Sequence, residues 1–203
     1  YPKATVDIEY KFPFGWAELA GVANRTDYDL RRHSQFSGKD LRYFDEETRK
    51  KYYPWVIEPT LGIDRTILAL LCEGYEEFPE GRSGKGEKEV VLILRPFLAP
   101  YKAGIFPLVK DERLVKVARQ LYEECKKEGL YVFYDESGSI GRRYRRQDEI
   151  GTPYCVTVDF ESLQDQKATV RDIKTMKQER LELKKLPRWL KEKTTAKAVE
   201  RQL

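Results

Sequence analysis

The first third of the chain combines strand-like and helix-like spacing of hydrophobic residues. Polar and apolar residues alternate in residues 4–10 and 16–24, which predicts two β-strands. Residues 26–36 begin with a threonine and an aspartate and predict a short helix. Residues 54–60 predict a third strand, and helical spacing of apolar residues predicts a buried helix that begins at Gly62.

Glycine, proline and charge interrupt this pattern in residues 76–89, which are predicted to form a loop. The loop resembles a phosphate-binding loop only superficially, because the pair at 84–85 is followed by Gly86 instead of serine or threonine. Residues 90–95 predict a buried strand. Two prolines within residues 96–100 disfavour regular structure and indicate a boundary between two domains, 1–97 and 98–203.

Strands and helices alternate in the second half. The predicted strands are residues 103–109, 130–134, 154–160, 168–173 and 177–183, of which the last two form a hairpin. The predicted helices are residues 111–129, 138–151 and 185–193. Alternation followed by a hairpin predicts a mixed α/β (α+β) fold, in which helices cover a sheet that has both parallel and antiparallel strands.

Composition is typical of a soluble globular protein. Of 203 residues, 40% are apolar and 35% are charged, which excludes a disordered or membrane class. The longest apolar run, 67–72, is too short to cross a bilayer, so no membrane association is expected. The chain does not begin with methionine and is expected to start inside a longer protein.

The three cysteines, at 72, 125 and 155, are scattered and have no CxxC pair, and the single histidine is His33. No zinc site or disulfide framework is expected, and a reducing, cytoplasmic location fits best. The thiols themselves are expected to be buried structural groups.

Positive charge is concentrated in the second half. Residues 98–203 hold 23 lysines and arginines against 17 acidic residues, a net charge of +6, whereas residues 1–97 carry −2. This distribution favours a polyanionic partner for the second half, although a surplus of this size is also common on solvated surfaces.

One stretch, VIEPTLGIDRTILALL at residues 56–71, concentrates candidate chemistry at a strand-to-helix junction. An arginine at a helix start, Arg65, either forms an ion pair or binds phosphate, because guanidinium offers a planar fork of donors. Gly62 leaves room for the flat face of a ligand. Glu58 can hold an ammonium group and Thr60 can form a hydrogen bond, so the junction suits a ligand with an amine and a polyphosphate.

The same stretch resembles the third signature motif of class II aminoacyl-tRNA synthetases. The segments 12–30, 138–160 and 169–181 extend the match, and together the four segments resemble the homodimeric glycyl-tRNA synthetases over roughly residues 4–193. This resemblance implies the carboxyl-terminal part of a class II antiparallel-sheet catalytic domain in residues 1–97. It implies a mixed five-stranded α/β anticodon-binding domain in residues 98–203.

The resemblance also implies roles for individual residues. The catalytic residue is Arg65, expected on the terminal phosphate of ATP. Glu18 is also expected to hold Mg²⁺, and Thr60 stands where the family usually has serine. The implied ATP-binding residues are Glu18, Leu19, Gly62, Ile63, Asp64 and Arg65. The implied glycine-binding residues are Glu58, Pro59, Thr60, Leu61 and Gly62.

The activity implied by the family is that of a glycine–tRNA ligase, which uses ATP and Mg²⁺ to form glycyl-adenylate and transfers glycine to tRNA(Gly). The family's first and second motifs are missing from the chain. The chain is therefore expected to be a fragment of a homodimer whose interface is formed by the missing amino-terminal part.

A cluster of arginines around an aromatic residue suggests an RNA contact. Basic charge beside an aromatic ring suits single-stranded RNA, where phosphates are neutralised and unpaired bases stack. The alternative is that the arginines pair with Asp148, Glu149 and neighbouring acids. The cluster consists of Arg142, Arg143, Tyr144, Arg145 and Arg146.

Two other functions compete with the ligase. A non-catalytic relative can keep the fold as a nucleic-acid-binding accessory subunit, as in mitochondrial DNA polymerase, but it has little reason to keep Glu18, Glu58 and Arg65 together. An independent anticodon-like RNA-binding module leaves residues 4–75 unexplained. The ligase is therefore the favoured hypothesis.

Overall fold

The computed structural model describes residues 2–82 and 86–196, so the centre of the predicted loop lies outside the described residues. The chain divides into two compact units, Tyr1–Glu73 and Gly74–Leu203. By this division the hairpin that follows Glu73 belongs to the second unit, and the functional boundary predicted at 97–98 stays a prediction. None of the described helices is both long and apolar enough to cross a membrane.

The first unit contains an antiparallel sheet of three strands in the order β1-β2-β5 and a separate β3-β4 hairpin. The three sheet strands and both helices match the predicted segments. The β3-β4 hairpin was not predicted, because its strands have only three residues each and no alternating pattern. The elements are β1 (Ala4–Phe12), β2 (Gly15–Asn24), α1 (Tyr28–Ser37), β3 (Tyr43–Asp45), β4 (Lys50–Tyr52), β5 (Ile57–Leu61) and α2 (Ile63–Gly74).

The predicted burial of α2 is not observed. Ile67 is 51% exposed and Leu71 is 41% exposed, whereas Ala69 is buried. The apolar stripe of this helix is therefore only partly covered by the described residues.

The second unit is built on a mixed sheet of five strands in the order β12-β11-β10-β8-β9, which confirms the predicted α/β class. Strands β9, β8 and β10 are parallel, and β11 and β12 complete the sheet antiparallel. The elements are β6 (Tyr75–Phe78), β7 (Glu89–Leu92), β8 (Ala103–Pro107), α3 (Glu112–Lys127), β9 (Val132–Tyr134), α4 (Ile140–Glu149), β10 (Tyr154–Val158), α5 (Ser162–Asp165), β11 (Lys167–Asp172), β12 (Gln178–Glu182) and α6 (Leu186–Thr194).

The segment predicted as a loop is flanked by structure of its own. β6 and β7 pair as an antiparallel hairpin, so residues 76–78 and Glu89 are strand residues. The strand predicted at 90–95 is correspondingly shorter and ends at Leu92.

Helix α3 covers one face of the five-stranded sheet as the pattern predicts. Its buried residues recur at helical spacing and are Leu114, Ala118, Leu121 and Cys125. The Asp111 carboxylate caps the helix by accepting a hydrogen bond from the amide of Arg113. Gly129, at φ +79°, follows the helix end in a conformation that glycine adopts without steric cost.

Two of the three cysteines follow the expected burial. Cys125 and Cys155 are buried, whereas Cys72 is partly exposed. Burial raises the pKa of the Cys125 thiol to about 12, which keeps this group protonated at neutral pH.

Helix α4 is unusual because the side chains that it buries are polar. Arg143, Gln147 and Asp148 are all 3% exposed or less. Asp148 accepts hydrogen bonds of 2.9 and 3.0 Å from Arg171 of β11. Arg82, which is partly buried, also donates to Asp148, so one buried carboxylate binds two arginines.

Arg82 connects the β6–β7 segment to the rest of the second unit. It donates to Glu89 at 2.8 Å and to the carbonyl oxygen of Ile173 at 2.9 Å, in addition to Asp148. The backbone of β7 also approaches Gly151 closely, because a Cβ at this glycine would lie 2.9 Å from the carbonyl oxygen of Leu92. The β6–β7 segment therefore packs within the second compact unit.

This arrangement predicts that a fragment of residues 74–203 is more stable than one of residues 98–203. The shorter fragment lacks Arg82 and the buried side chain of Val91. We expect its Tm to be at least about 5 °C lower, since about 1 kcal/mol shifts the Tm of a domain this small by several degrees. Thermal unfolding followed by circular dichroism measures the difference, and equal Tm values would contradict it.

Candidate active site and RNA interface

One face of the antiparallel sheet in the first unit carries a row of small and polar residues. Gly21 lies in the middle strand, directly opposite Asp7 of β1 on one side and Thr60 of β5 on the other. Directly opposed residues project to the same face. The Thr60 hydroxyl donates a hydrogen bond of 3.3 Å to the carbonyl oxygen of Gly21.

A β-bulge brings Glu18 to this same face. Ile8 pairs with Ala20 but Glu9 pairs with Glu18, so Leu19 is an extra residue in β2. Without the bulge, a residue three positions from Gly21 would project to the opposite face. Bulges of this kind often redirect a side chain near a functional site.

The bulge also holds the start of α2. The carbonyl oxygen of Leu19 accepts from the amide of Gly62 at 3.4 Å. The guanidinium of Arg65 donates to the main-chain oxygen of Glu18. Four of the residues implied in ATP binding, Glu18, Leu19, Gly62 and Arg65, are thus directly connected. A Cβ at Gly62 would lie 3.5–3.7 Å from the aliphatic part of Arg65, which is an ordinary contact distance.

The other residues implied in ATP and glycine binding do not all face the same side of the sheet. Ile63 and Asp64 are exposed in the first turn of α2. Pro59 and Leu61 alternate with Thr60 along β5, so their side chains project to the opposite face of the sheet. For these two residues only the backbone lies beside Thr60.

Glu58 has a partner that was not predicted from the sequence. Its carboxylate forms an ion pair of 2.7 Å with Nε of Arg25, which also binds Asp29. Nothing in the local pattern indicated this contact, because Arg25 follows the end of β2 and is separated from Glu58 by two short strands and a helix.

The donor set at this face consists of hard oxygen atoms. Asp7, Glu18 and Thr60 contribute two carboxylates and a hydroxyl, which suit a magnesium ion or an ammonium group rather than a soft metal. Among residues 2–82 and 86–196 no group of three or more histidine, cysteine or acidic residues is arranged as a metal site.

The second unit presents a different surface at the carboxyl ends of its parallel strands. β8 ends at Pro107, β9 at Tyr134 and β10 at Val158, and these ends lie at one edge of the sheet. We call this region the carboxyl edge. Helices α3 and α4 both begin after strands that end there, and helix N-termini favour negatively charged ligands.

Three of the clustered arginines reach the surface near the carboxyl edge. The Arg142 side chain has no ion-pair partner in the described part of the chain, and the residue is exposed. Arg145 has two long contacts, 3.8 Å to Glu87 and 3.6 Å to Glu89. Arg146 binds Ser137 through its carbonyl oxygen at 2.7 Å and also pairs with Asp135.

The other two members of the cluster point into the domain. Arg143 is 2% exposed and donates to the carbonyl oxygens of Pro107 and Leu108, the second at 3.1 Å. Burial lowers the pKa of this guanidinium. The Tyr144 hydroxyl lies 2.7 Å from that of Thr157, and burial raises its pKa. Arg143 is thus buried and Tyr144 partly buried, and both side chains make contacts within the domain. Their part in binding tRNA stays a prediction.

An exposed aromatic residue at the carboxyl edge was not among the RNA-binding residues predicted from the sequence. Phe160 follows β10, is 44% exposed, and has the guanidinium of Arg113 5.6 Å from its ring centre. Aromatic faces beside arginine are suited to stacking with unpaired bases. In the sequence, Phe160 is the aromatic last residue of a predicted strand. Only the sheet topology places Phe160 beside the start of α3.

Comparison with known proteins agrees with this architecture. Residues 102–193, from the start of β8 into α6, match the family described as "Anticodon binding domain". Over 194 residues, the chain is 54% identical to proteins named "Glycine--tRNA ligase" from Staphylococcus aureus strains JH9 and Newman. The chain is a homologue of the glycine–tRNA ligases. The match includes 96% of the chain, and thus both units of this glycine–tRNA ligase homologue.

The homologue spans only about two fifths of its relatives, since the aligned region is 41% of their length. Its five-stranded domain is an anticodon-binding domain, as the sequence predicted. The family resemblance inferred from the four sequence segments is therefore confirmed.

Proposed function

We propose that the chain is the carboxyl-terminal part of a cytoplasmic glycine–tRNA ligase, which activates glycine with ATP and transfers it to tRNA(Gly). The observation that carries this proposal is the convergence of Glu18, Thr60 and the start of α2 on one side of the antiparallel sheet, in a chain 54% identical to named ligases. In this proposal residues 1–97 belong to the catalytic domain and residues 98–203 to the anticodon-binding domain.

The reaction proceeds in two steps and needs no covalent bond to the protein. The carboxylate of glycine attacks the α-phosphorus of ATP, and pyrophosphate leaves. A terminal ribose hydroxyl of tRNA then attacks the glycyl carbonyl carbon, and AMP leaves with the bonding electrons. Catalysis of this type depends on positioning and on stabilisation of charge, which are the functions available to Arg65 and its neighbours.

Arg65 is proposed to bind the terminal phosphate of ATP. Arg65 is exposed, and among the described residues its guanidinium donates to one main-chain oxygen, that of Glu18, so it keeps donors for phosphate. Leu19 and Gly62 provide backbone beside it, and Ile63 and Asp64 complete the turn. Mg²⁺ neutralises phosphate charge when bound with ATP, and Glu18 is the side chain proposed to help hold it.

The glycine side of the site is proposed to include Glu58 and the Thr60 hydroxyl on the same sheet face, with the backbone of Pro59, Leu61 and Gly62 beside them. Glu58 is oriented by its ion pair with Arg25. Thr60 keeps the hydroxyl of the family's usual serine and adds a methyl group, which narrows the pocket.

The remainder of the full-length protein is proposed to cover the exposed apolar side chains of the first unit. These include Ile57, Ile63 and Ile67, each more than half exposed. Fully burying such a side chain typically contributes about 1.5–3 kcal/mol of stabilising free energy. Contact between these side chains and a covering segment would therefore be strongly favourable. The homodimer interface is assigned to that remainder too.

RNA binding tests the second part of the proposal. In the 203-residue chain, Arg142→Glu is expected to weaken binding of the tRNA(Gly) anticodon stem-loop about tenfold, because a phosphate contact is replaced by repulsion. The slope of log affinity against log salt should fall by about 1. Filter binding at several salt concentrations measures both quantities.

Arg188→Glu is the matched control. Arg188 is an exposed arginine of α6 in the same domain, and its only ion pair among the described residues is with Glu192. If both variants weaken binding equally, the effect reflects net charge alone and the carboxyl edge is not the RNA interface.

A further inference from the structure

The positive charge of the anticodon-binding domain is concentrated near its carboxyl-terminal end. Residues 98–173 hold 13 lysines and arginines and 13 acidic residues, so they contribute no net charge. Residues 174–193, which include β12 and α6, hold eight lysines and arginines against three acidic residues. The strands and helices of the carboxyl edge all belong to residues 98–173. The surplus that favours a polyanionic partner therefore lies outside the carboxyl edge.

Residues of β12 and α6 line two adjoining cavities. The larger has a volume of about 320 Å³, at the lower end of the range for ligand pockets. The smaller has a volume of about 230 Å³, and Trp189 of α6 lines both. We call the two cavities together the Trp189 groove. Its aromatic residues are Tyr154 and Trp189, and its cationic residues are Lys167, Lys177, Arg180, Lys185 and Lys193.

Two lysines of the larger cavity are available to bind an anion. Lys177 and Lys193 are exposed, and neither has an ion-pair partner among residues 2–82 and 86–196. The ammonium group of Lys193 lies 5.7 Å from the ring centre of Trp189. The two residues are four positions apart, which places them on the same face of α6. An anion bound by Lys193 would therefore lie beside the indole ring.

The groove is positive although three carboxylates also line it. Asp172 accepts hydrogen bonds of 2.7 and 2.9 Å from the amide and the hydroxyl of Thr175, within its own turn. Glu182 forms an ion pair of 2.7 Å with Lys185. The third, Glu179, has no hydrogen-bond or ion-pair partner among the described residues. Five cations against these three carboxylates leave a positive surplus.

An aromatic pair lies beside these lysines. Tyr154 and Trp189 are both partly exposed, and their ring centres are 5.0 Å apart with the planes at 68°. Aromatic rings stack with unpaired bases, and neighbouring lysines neutralise phosphates, so the combination suits single-stranded RNA. An acidic peptide would use the lysines but would leave the rings without a matching group.

We propose that the Trp189 groove binds a single-stranded segment of RNA other than the anticodon loop, with a base against Trp189 and phosphates on Lys177 and Lys193. The larger cavity is distinct from the carboxyl edge, because Tyr154 is the first residue of β10 and the carboxyl edge contains its last, Val158. This function goes beyond the proposed ligase activity and does not depend on it, so binding alone can test it.

The test is binding of a fluorescein-labelled oligouridylate to the full-length protein, with an excess of unlabelled tRNA(Gly) anticodon stem-loop. The oligouridylate should bind under these conditions, because the stem-loop occupies only the carboxyl edge. Lys177→Glu combined with Lys193→Glu should weaken its binding at least about tenfold. The slope of log affinity against log salt should fall in magnitude by about 1.4, since each phosphate contact on a single strand contributes about 0.7. Fluorescence anisotropy measures both quantities.

Lys116→Glu combined with Lys127→Glu is the matched control. Both are exposed lysines of α3 without an ion pair among the described residues, and neither lines the groove. Their reversal changes the net charge by the same amount and should change the affinity by no more than about twofold. Photocrosslinking from 4-thiouridine in the oligonucleotide should label the peptide that contains Trp189.

Four results would overturn the inference. Equal weakening by the two double variants would show that the effect reflects net charge alone. Displacement of the oligouridylate by the stem-loop would assign the groove to the anticodon arm. Cross-links confined to peptides outside the groove would place the RNA elsewhere. Binding of polyglutamate as tight as that of the oligouridylate would favour an acidic protein partner instead of RNA.

Discussion

Arg65→Ala in the full-length protein is expected to lower glycine-dependent pyrophosphate exchange by about 10²- to 10³-fold. The guanidinium is proposed to meet charge that develops on phosphate, and loss of one such donor typically costs about 3–4 kcal/mol of transition-state stabilisation. Affinity for tRNA should remain nearly unchanged, because the anticodon-binding domain is a separate unit. Exchange kinetics and filter binding on the same preparation measure the two effects.

Arg32→Ala provides the control for the loss of an exposed arginine. Arg32 is in α1 of the same unit and donates to Gln35, so it has no connection to Glu18 or Gly62. Its removal should leave exchange within about twofold. Normal exchange in Arg65→Ala would remove this residue from the site.

The second large effect concerns stability. Asp148→Ala should lower the free energy of unfolding of residues 74–203 by about 3–5 kcal/mol, because the buried Arg171 would lose its carboxylate and Arg82 would keep only Glu89 as an ion-pair partner. Such a loss is a large part of the stability of a typical domain. Urea unfolding should show a lower midpoint with an unchanged m-value.

The neighbouring Glu149 is the control for this substitution. It is an exposed carboxylate on the same helix, so Glu149→Ala should change stability by no more than about 0.5 kcal/mol. A loss below about 1 kcal/mol for Asp148→Ala would show that the two arginines find other partners.

The sequence predicted best those elements whose faces differ in hydrophobicity. Helix α3 buries Leu114, Ala118, Leu121 and Cys125, and this spacing is visible in the sequence itself. The parallel strands were predictable too, because they are short apolar runs between helices. These local signals are sufficient for the order of elements and the class of the fold.

Helix α4 shows why the same reasoning fails for individual arginines. Its arginines look equivalent in sequence, yet Arg143 is buried on carbonyl oxygens at strand ends while Arg142 faces solvent. The inward face of α4 is polar, so hydrophobic spacing cannot distinguish it. Which face of α4 packs into the interior depends on partners from distant segments, such as Arg82, which binds Asp148.

Prediction from the sequence is similarly limited for the site in the first unit. The roles of Glu18 and Thr60 came from family resemblance, but the bulge at Leu19 that places them on one face leaves no mark in the alternating pattern. Asp7 was part of an ordinary strand pattern and drew no functional hypothesis. Its position opposite Gly21, with Thr60 on the other side of that glycine, depends on pairing across three strands, which is non-local.

This chain is proposed to belong to a protein that attaches glycine to tRNA. Aminoacylation by the full-length protein, with radiolabelled glycine, ATP and tRNA(Gly), tests it most directly. We expect ATP-dependent labelling of the tRNA with glycine and no labelling with alanine or serine. Binding of tRNA without any attachment of glycine would contradict it and would favour a nucleic-acid-binding accessory subunit.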